Sequence, residues 1–174
     1  MKTMIVYGSK YGTASVYAHK LAQLTKGRCV SYDKVNSLFS YDRIIYVGSI
    51  YAGKITGIKE ILDVISDHAE IIIVTVGISD PENYKNVAHI LNSAKKQLPD
   101  AIYKKARFYH LRGALDYRIM SKKDIIMMKM LCLSLKSKSK NKFTDEDKMI
   151  LDTYGKFIDF TDLSSLNKII NDIK

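Results

Sequence analysis

The sequence predicts an α/β fold built on a doubly wound parallel sheet. Short apolar runs rich in β-branched residues alternate along the chain with segments of helical periodicity. These runs are continuously apolar, which is typical of strands covered by helices on both faces. The first run leads at once into a loop of small and hydroxyl residues and then into an amphipathic segment, which is the order of a strand, a turn and a crossover helix.

The first strand is predicted at residues 4–7, where an apolar run ends at Gly8. A helix is predicted from Tyr17 onward, because Leu21 and Leu24 recur at helical spacing. This pairing places the start of a helix directly behind the end of a buried strand.

Further strands and helices alternate over the next part of the chain. The strands are predicted at residues 29–33, 43–50, 71–76 and 107–112, and the helices near residues 58–65 and 83–98. Ligands of doubly wound sheets bind outside the carboxyl ends of the strands. The loops after the first, third and fourth strands are therefore the candidate binding loops.

The loop after the first strand has the composition of an anion site. Ser9, Thr13 and Ser15 supply hydroxyl groups beside a helix N-terminus, whose free amides attract phosphate. Gly8 and Gly12 are too close for a nucleoside-triphosphate loop, and no lysine follows the second glycine. A phosphate monoester such as that of FMN suits this loop, and the alternative is an ordinary strand-to-helix turn.

The other two candidate loops could face a flat redox ring. The loop at residues 48–55 carries Tyr51 and Gly53, and the loop at residues 76–84 carries Gly77 near its start. An aromatic side chain can stack on a ring, and backbone near a glycine can approach it closely. The alternatives are a surface tyrosine and plain turn glycines.

Composition describes one soluble globular domain over residues 1–174, with 47% hydrophobic and 26% charged residues. We expect a cytoplasmic protein, because the first apolar run is too short for a signal or a membrane span. Cys29 and Cys132 lie far apart and the four histidines are scattered, so we expect reduced thiols and no metal site.

The excess of positive charge concentrates between Arg118 and Lys142, within a segment that exceeds a minimal five-stranded domain, the basic helical insertion at residues 117–147. No nucleic-acid-binding motif accompanies its lysines, so nucleic acid is not an expected partner. A helix rich in Ile, Met and Leu is predicted at residues 119–135, and Lys122, Lys129 and Lys136 would make one stripe on it. Three interpretations stay open: packing on the domain, a homo-oligomer interface, or peripheral contact of residues 119–142 with an anionic membrane at its inner face.

The end of the chain is predicted from local signals. The lysine-rich segment at residues 136–142 is predicted to be a solvated connection. Thr144 with Asp147 approximates a capping box for a helix that ends near residue 154. Residues 157–160 could return to the sheet, and a last helix starts at Thr161 or Asp162 and ends near Ile173.

Three segments follow one another along the chain, YGSKYGTA at residues 7–14, VGSIYAGK at 47–54 and RGALDYRIMSKKDIIMMKML at 112–131. In this order they resemble the flavodoxin-like superfamily, and particularly the branch of the menaquinone-dependent protoporphyrinogen oxidases. The resemblance implies a flavodoxin-like five-stranded sheet of order 2-1-3-4-5, with a helical insertion after or within the fifth strand. It also implies noncovalent binding of FMN.

The resemblance assigns cofactor contacts by position. For the phosphate it implies Ser9, Lys10, Tyr11, Gly12, Thr13 and Ala14, and for the ring Ser49, Ile50, Tyr51, Ala52 and Gly53 in one loop and Val76, Gly77, Ile78 and Ser79 in the other. Ala14 stands where the family usually has a second hydroxyl, so one phosphate donor is missing. The chain also departs from the oxidase branch around Tyr51 and Ala52, and no catalytic side chain is assigned.

The resemblance implies an FMN-dependent oxidoreductase that passes electrons from an organic substrate of the protoporphyrinogen type to a quinone. Its expected partners are thus a small-molecule substrate or a quinone acceptor. An electron carrier that docks on other redox proteins is the first alternative. A scaffold that has lost its flavin is the second, for which Ala14 is the hint.

Overall fold

The structure is a computed structural model that describes residues 1–139, 143 and 145–173. Part of the predicted lysine connection and Thr144 of the predicted capping box lie outside the described residues. The chain forms two compact units, Met1–Gly113 with Thr161–Lys174, and Ala114–Phe160. The second unit is wider than the predicted insertion at residues 117–147.

The first unit alternates strands and helices as predicted. In chain order its elements are β1 (Thr3–Gly8), α1 (Thr13–Thr25), β2 (Arg28–Ser31), β3 (Arg43–Tyr51), β4 (Lys54–Ile55), β5 (Glu70–Gly77), α2 (Tyr84–Lys95), α3 (Asp100–Lys105) and β6 (Arg107–Arg112), and near the end of the chain the helix at Leu166–Asp172.

The main sheet has the order β2-β1-β3-β5-β6, and all of these neighbours pair in parallel. This order confirms the predicted 2-1-3-4-5 arrangement. The short β4 pairs antiparallel with β3 and so folds back over the strand that precedes it. Gly8 of β1 lies beside Gly48 of β3, and Ser49 lies beside Val76 of β5. The register therefore brings the ends of β1, β3 and β5 to one edge of the sheet.

Two apolar clusters cover the two faces of the sheet, which confirms the doubly wound architecture. Successive residues of a strand point to opposite faces, and Ile5 and Val6 accordingly belong to different clusters, as do Ile72 and Ile73. Both clusters consist of aliphatic and aromatic side chains that are almost fully buried.

Several predicted elements differ in detail. Residues Lys59–Val64 form a 3₁₀ helix instead of an α-helix, and within this segment only Ile61 is buried. A segment with one buried residue has too little apolar surface to hold an α-helix against the sheet. The helix predicted near residues 83–98 ends at Lys95, and Pro99 precedes the unpredicted α3. A proline at that position is compatible with a helix start and not with continuation.

The second unit contains β7 (Ala114–Asp116), α4 (Lys122–Ser137), α5 (Asp145–Thr153) and β8 (Phe157–Asp159), and the helix that follows in the first unit is then α6. It begins after β6, in agreement with a helical insertion after the fifth parallel strand. The prediction that residues 157–160 return to the main sheet is wrong. β8 pairs antiparallel with β7, so its backbone N–H and C=O groups find hydrogen-bond partners within the same unit.

Helix α4 begins three residues later than the predicted residue 119. The Ser121 side chain accepts a hydrogen bond from the Asp124 backbone N–H at 3.2 Å, which caps the helix and fixes its start. Within the part of the chain that the structure describes, no helix is both long and apolar enough to cross a bilayer.

Candidate functional site

The loop after β1 is tied together by its own hydroxyl group. The Gly12 N–H donates to Ser9 Oγ at 3.0 Å, and Gly12 has a φ of +98° with open space where a Cβ would lie. A positive φ is a conformation that glycine adopts without strain. Val16 N–H donates to the Gly12 carbonyl at 3.1 Å, the first hydrogen bond of α1. Ser9 therefore shapes the loop as an acceptor in addition to offering a hydroxyl.

The first turn of α1 can hold an anion. No side chain caps this end of the helix, and no acidic residue lies in its first turn. Because the first intrahelical bond comes from Val16, the amides of Ala14 and Ser15 have no acceptor within the helix. Free amides and the helix dipole together favour a phosphate at this position.

The Ala14 side chain does not face the loop. It is 0% exposed and packs in the core cluster with Tyr17, Ala18 and Leu21. Ser15 Oγ lies 3.3 Å from His19 Nδ1, and the same ring nitrogen lies 2.8 Å from the Ser15 carbonyl oxygen. The backbone amides of this turn can bind a phosphate where the family's second hydroxyl is missing.

The loop after β3 is a tight hairpin. Tyr51 pairs with Lys54 across a two-residue turn, in which Ala52 has a φ of +48° and Gly53 a φ of +73°. Positive φ at both central residues is the geometry of a type I′ turn, whose twist matches that of the strands. Alanine is strained in this region by about 1–2 kcal/mol. The predicted ring-binding residues Ser49–Gly53 therefore lie on a strained but geometrically defined element.

Lys10 joins the first two predicted loops. Its backbone N–H donates to Ser49 Oγ at 3.1 Å. Its ammonium nitrogen lies 4.6 Å from the centre of the Tyr51 ring and 5.9 Å from the centre of the Tyr11 ring, within the range of cation–π attraction. The three predicted segments, residues 9–14, 49–53 and 76–79, contain no acidic residue. Lys10 therefore supplies the one charged side chain of these three segments.

The third predicted loop adjoins the second. A Cβ at Gly77 would lie 3.6 Å from the Ile50 side chain, an ordinary van der Waals distance. Gly113 N–H donates to the Gly77 carbonyl at 2.7 Å, and the Arg112 guanidinium contacts the Ile78 carbonyl oxygen at 3.3 Å. Val76 is buried at the end of β5, and Ser79 is half-buried beyond it.

Two glycines allow the hairpin to pack over the end of the sheet. A side chain at Gly8 would collide with the Thr56 carbonyl, and one at Gly48 would collide with Ile55. The Tyr46 hydroxyl donates to the same Thr56 carbonyl, and burial raises the pKa of that phenol. Tyr46 therefore stays protonated and serves as a donor beneath the site.

Sequence reasoning missed several residues that support these loops. Besides Tyr46 and Thr56 they include Ser93 of α2 and Gln97 of the turn after it, which contact the hairpin backbone, and Arg112 at the end of β6. Ser93 and Gln97 are four residues apart, but α2 ends at Lys95 and Gln97 lies past its end. That spacing alone does not identify the segment they contact.

The residues present fit FMN, the cofactor that the resemblance implies. The phosphate could bind at the first turn of α1, which no side chain caps. The space beside this turn is open, because nothing lies within 4 Å of the Cβ position of Gly12. The ring could lie against Tyr51 and the glycine backbone of the hairpin, where nothing lies within 4 Å of the Cβ position of Gly53. One face of Tyr51 carries the Lys10 ammonium group. Among the described residues, no group of three His, Cys, Asp or Glu side chains could hold a metal ion.

Comparison with known proteins gives one family match. The family model described as Flavodoxin domain matches residues 4–142. No curated protein matches the chain.

The solved structures that match this chain are distant from it in sequence. A candidate flavoprotein from Bacteroides uniformis has 15% identity and a TM-score of 0.47, over 64% of this chain and 88% of that chain. A flavodoxin from the domain Archaea has 15% identity and a TM-score of 0.41, over 64% and 82%. The C101A mutant of flavodoxin from Pseudomonas aeruginosa has 18% identity and a TM-score of 0.40, over 77% and 96%.

Proposed function

The chain belongs to the flavodoxin domain family and is an FMN-binding redox protein, and we propose that it is an oxidoreductase acting between an organic substrate and a quinone. The substrate is of the protoporphyrinogen type, as the resemblance to the oxidase branch suggests. Electrons and protons removed from it reduce the quinone to the quinol. Bound FMN supplies the electron-transfer chemistry.

The residues of the predicted loops divide the work of holding the cofactor. Ser9, Thr13 and the first-turn amides of α1 bind the phosphate, as its open N-terminus supports. Tyr51 and the Gly53 backbone flank one side of the ring, and the backbone of residues 76–79 flanks another. Lys10 places a positive charge beside Tyr51. A cation near the ring favours negative charge on the cofactor and therefore electron uptake from a substrate.

The observation that carries the quinone and membrane parts of the proposal is the exposed face of α4. Ile126, Met130 and Leu133 are 60%, 65% and 58% exposed, whereas α4 buries Asp124, Cys132 and Leu135. The exposed lysines 122, 129 and 136 lie on the same side of the helix as these three apolar residues. Apolar side chains between lysines are typical of a helix that lies on an anionic lipid surface, where a quinone is available.

The enzymatic proposal is tested by an anaerobic assay of FMN-loaded protein. Oxidation of protoporphyrinogen is followed with menaquinone present and absent, and we expect turnover that depends on the quinone. The control is the same protein with its FMN removed. Reduction of the bound FMN by a reductase, without turnover of porphyrinogen under any of these conditions, would instead establish the electron carrier.

The membrane contact is tested by cosedimentation with lipid vesicles. We expect binding to vesicles that contain phosphatidylglycerol and little binding to pure phosphatidylcholine. The double change Ile126→Ser and Leu133→Ser should abolish it, and each Lys→Gln change at 122, 129 or 136 should weaken it about fivefold. Val16→Ser, an exposed apolar residue of α1, is the matched control. The protein could instead fail to bind vesicles and form a dimer that the double change dissociates. That result would assign the exposed face of α4 to a homo-oligomer interface.

A further inference from the structure

Two side chains, Ser93 in the last turn of α2 and Gln97 in the turn that follows this helix, contact the backbone of the β3–β4 hairpin. The Ser93 hydroxyl donates to the Gly53 carbonyl oxygen, and Gln97 Oε1 accepts from the Ile55 N–H at 2.9 Å. Gln97 Nε2 in turn donates to the Ser93 carbonyl at 3.0 Å and lies 3.1 Å from Ser93 Oγ. The two side chains thus form one connected unit that contacts the hairpin on both sides of Lys54.

The hairpin depends on outside contacts to keep its shape. Its ladder consists of two residue pairs, Ile50 with Ile55 and Tyr51 with Lys54, and its turn contains Ala52 in the strained left-handed region. An isolated hairpin this short is at best marginal in water. The hydrogen bonds from Ser93 and Gln97 supply a stabilising contribution that the ladder lacks.

Neither Ser93 nor Gln97 is among the buried apolar residues by which α2 packs on the sheet. The buried apolar residues of this helix are Ile90 and Ala94, whereas Ser93 and Gln97 are half-buried. Their polar groups contact the hairpin backbone. A segment that only covered the sheet could carry small or aliphatic residues at both positions.

We propose that Ser93 and Gln97 are positioning residues for the cofactor. They hold the Ala52–Gly53 turn, and through it Tyr51, in the arrangement that receives the FMN ring. The proposal rests on the placement of the ring against residues 49–53 given above, and it involves neither the substrate nor the quinone. Because the phosphate would bind at α1, the contacts of Ser93 and Gln97 with the hairpin affect binding of the ring and not of the phosphate.

The test is titration of the apoprotein with FMN and with riboflavin, which lacks the phosphate. Ser93→Ala should weaken binding of both ligands about fivefold, and Gln97→Leu about tenfold, because the latter also leaves the Ile55 N–H without its acceptor. Ser93→Thr should restore affinity. Gln97→Glu, which keeps the acceptor and loses the donor, should fall between the wild type and Gln97→Leu.

Three further variants interpret the titration. Asn92→Ala, at an exposed neighbouring position of α2, should leave both dissociation constants unchanged. Ser9→Ala, in the phosphate loop, should weaken FMN and not riboflavin. Tyr51→Ala should weaken both ligands. The free energy of unfolding of each apoprotein separates a loss of affinity from a loss of stability.

Two outcomes overturn the proposal, and a third overturns the placement beneath it. The positioning role of Ser93 and Gln97 is rejected if Gln97→Leu lowers the stability of the apoprotein but leaves both dissociation constants at the wild-type values. It is also rejected if Gln97→Leu weakens FMN and leaves riboflavin unchanged. Tyr51→Ala without effect on either ligand would show that the ring lies elsewhere, which refutes the placement independently of the redox assay.

Discussion

At the scale of single residues, Gly8 is a position where the fold has no room for a side chain. A methyl group there would collide with the backbone carbonyl of Thr56, which cannot rotate away. We expect Gly8→Ala to lower the free energy of unfolding by about 2–3 kcal/mol. Chemical denaturation of the apoprotein measures this difference.

Gly77→Ala is the matched control for Gly8→Ala. It is also a glycine at the carboxyl end of a central strand, but a methyl group there would make ordinary contacts, at 3.6 Å from Ile50. We expect its stability to be unchanged or to rise by up to about 1 kcal/mol, because alanine restricts the unfolded chain. Equal losses in both variants would contradict the steric explanation.

His110 should make stability depend on pH. Its Nδ1 lies 2.6 Å from Thr75 Oγ1, and burial lowers the pKa of the imidazole below its usual value near 6.5. The unfolded chain then binds a proton more readily than the folded one. The contribution of His110 is complete above the unfolded pKa and is lost as the pH falls through it toward the lower folded value.

Urea unfolding of the wild type between about pH 8 and about pH 5 measures this dependence. We expect His110→Asn, which keeps a polar atom near the Nδ1 position and cannot titrate, to have a flatter profile over this range. His89→Asn is the control, since His89 is exposed. An unchanged slope in His110→Asn would assign the pH dependence to other groups.

Ala14 illustrates what a residue-level pattern can and cannot tell. The resemblance predicts that a phosphate donor is missing at this position, and this stays a prediction. Its buried side chain gives the position a packing role that the loop pattern does not reveal. Side-chain direction in the first turn of a helix depends on how the helix lies on the sheet.

At the scale of elements, the hairpin turn carries strain that can be relieved. Ala52→Gly removes the Cβ from a residue with a φ of +48°, and we expect it to raise the free energy of unfolding by about 0.5–1 kcal/mol. Ala101→Gly in α3, where the residue is exposed and helical, should lower it by about 1 kcal/mol. A loss of stability in Ala52→Gly, measured by denaturation, would mean that the turn is not strained.

The elements themselves were largely predictable, and the errors share a cause. The strands β1, β3 and β5 contain continuous apolar runs, so their positions follow from the sequence. The segment near residues 58–65 has enough apolar residues to suggest an α-helix, yet Lys59–Val64 forms 3₁₀ turns. Whether a short segment completes an α-helix depends on the surface it can bury, which the local pattern does not contain.

At the scale of the whole molecule, the second unit is an insertion whose ends meet. The Tyr17 hydroxyl donates to the Arg112 carbonyl at 2.8 Å and accepts from the Asp162 N–H at 2.9 Å. The chain therefore leaves the first unit and returns to it beside one hydroxyl group. A short loop can close that gap without loss of the sheet.

We expect a chain in which residues 114–160 are replaced by about five Gly and Ser residues to fold cooperatively and to bind FMN. The same chain should lose binding to anionic vesicles, because α4 is absent. Thermal unfolding, FMN titration and cosedimentation measure the three properties. A folded protein that no longer binds FMN would show that the cofactor needs residues of the second unit.

The sequence by itself determined the doubly wound fold and the three loops that gather at one edge of the sheet. Continuous apolar strands and the parallel register place those loops together wherever the helices lie. Only the tertiary structure decided that Ser93 reaches the carbonyl of Gly53, 40 residues earlier, that Gly8 lies under Thr56, and that β8 pairs with β7. These contacts join segments distant in the chain, and their geometry depends on how each crossover packs, which short-range patterns of hydrophobicity do not encode.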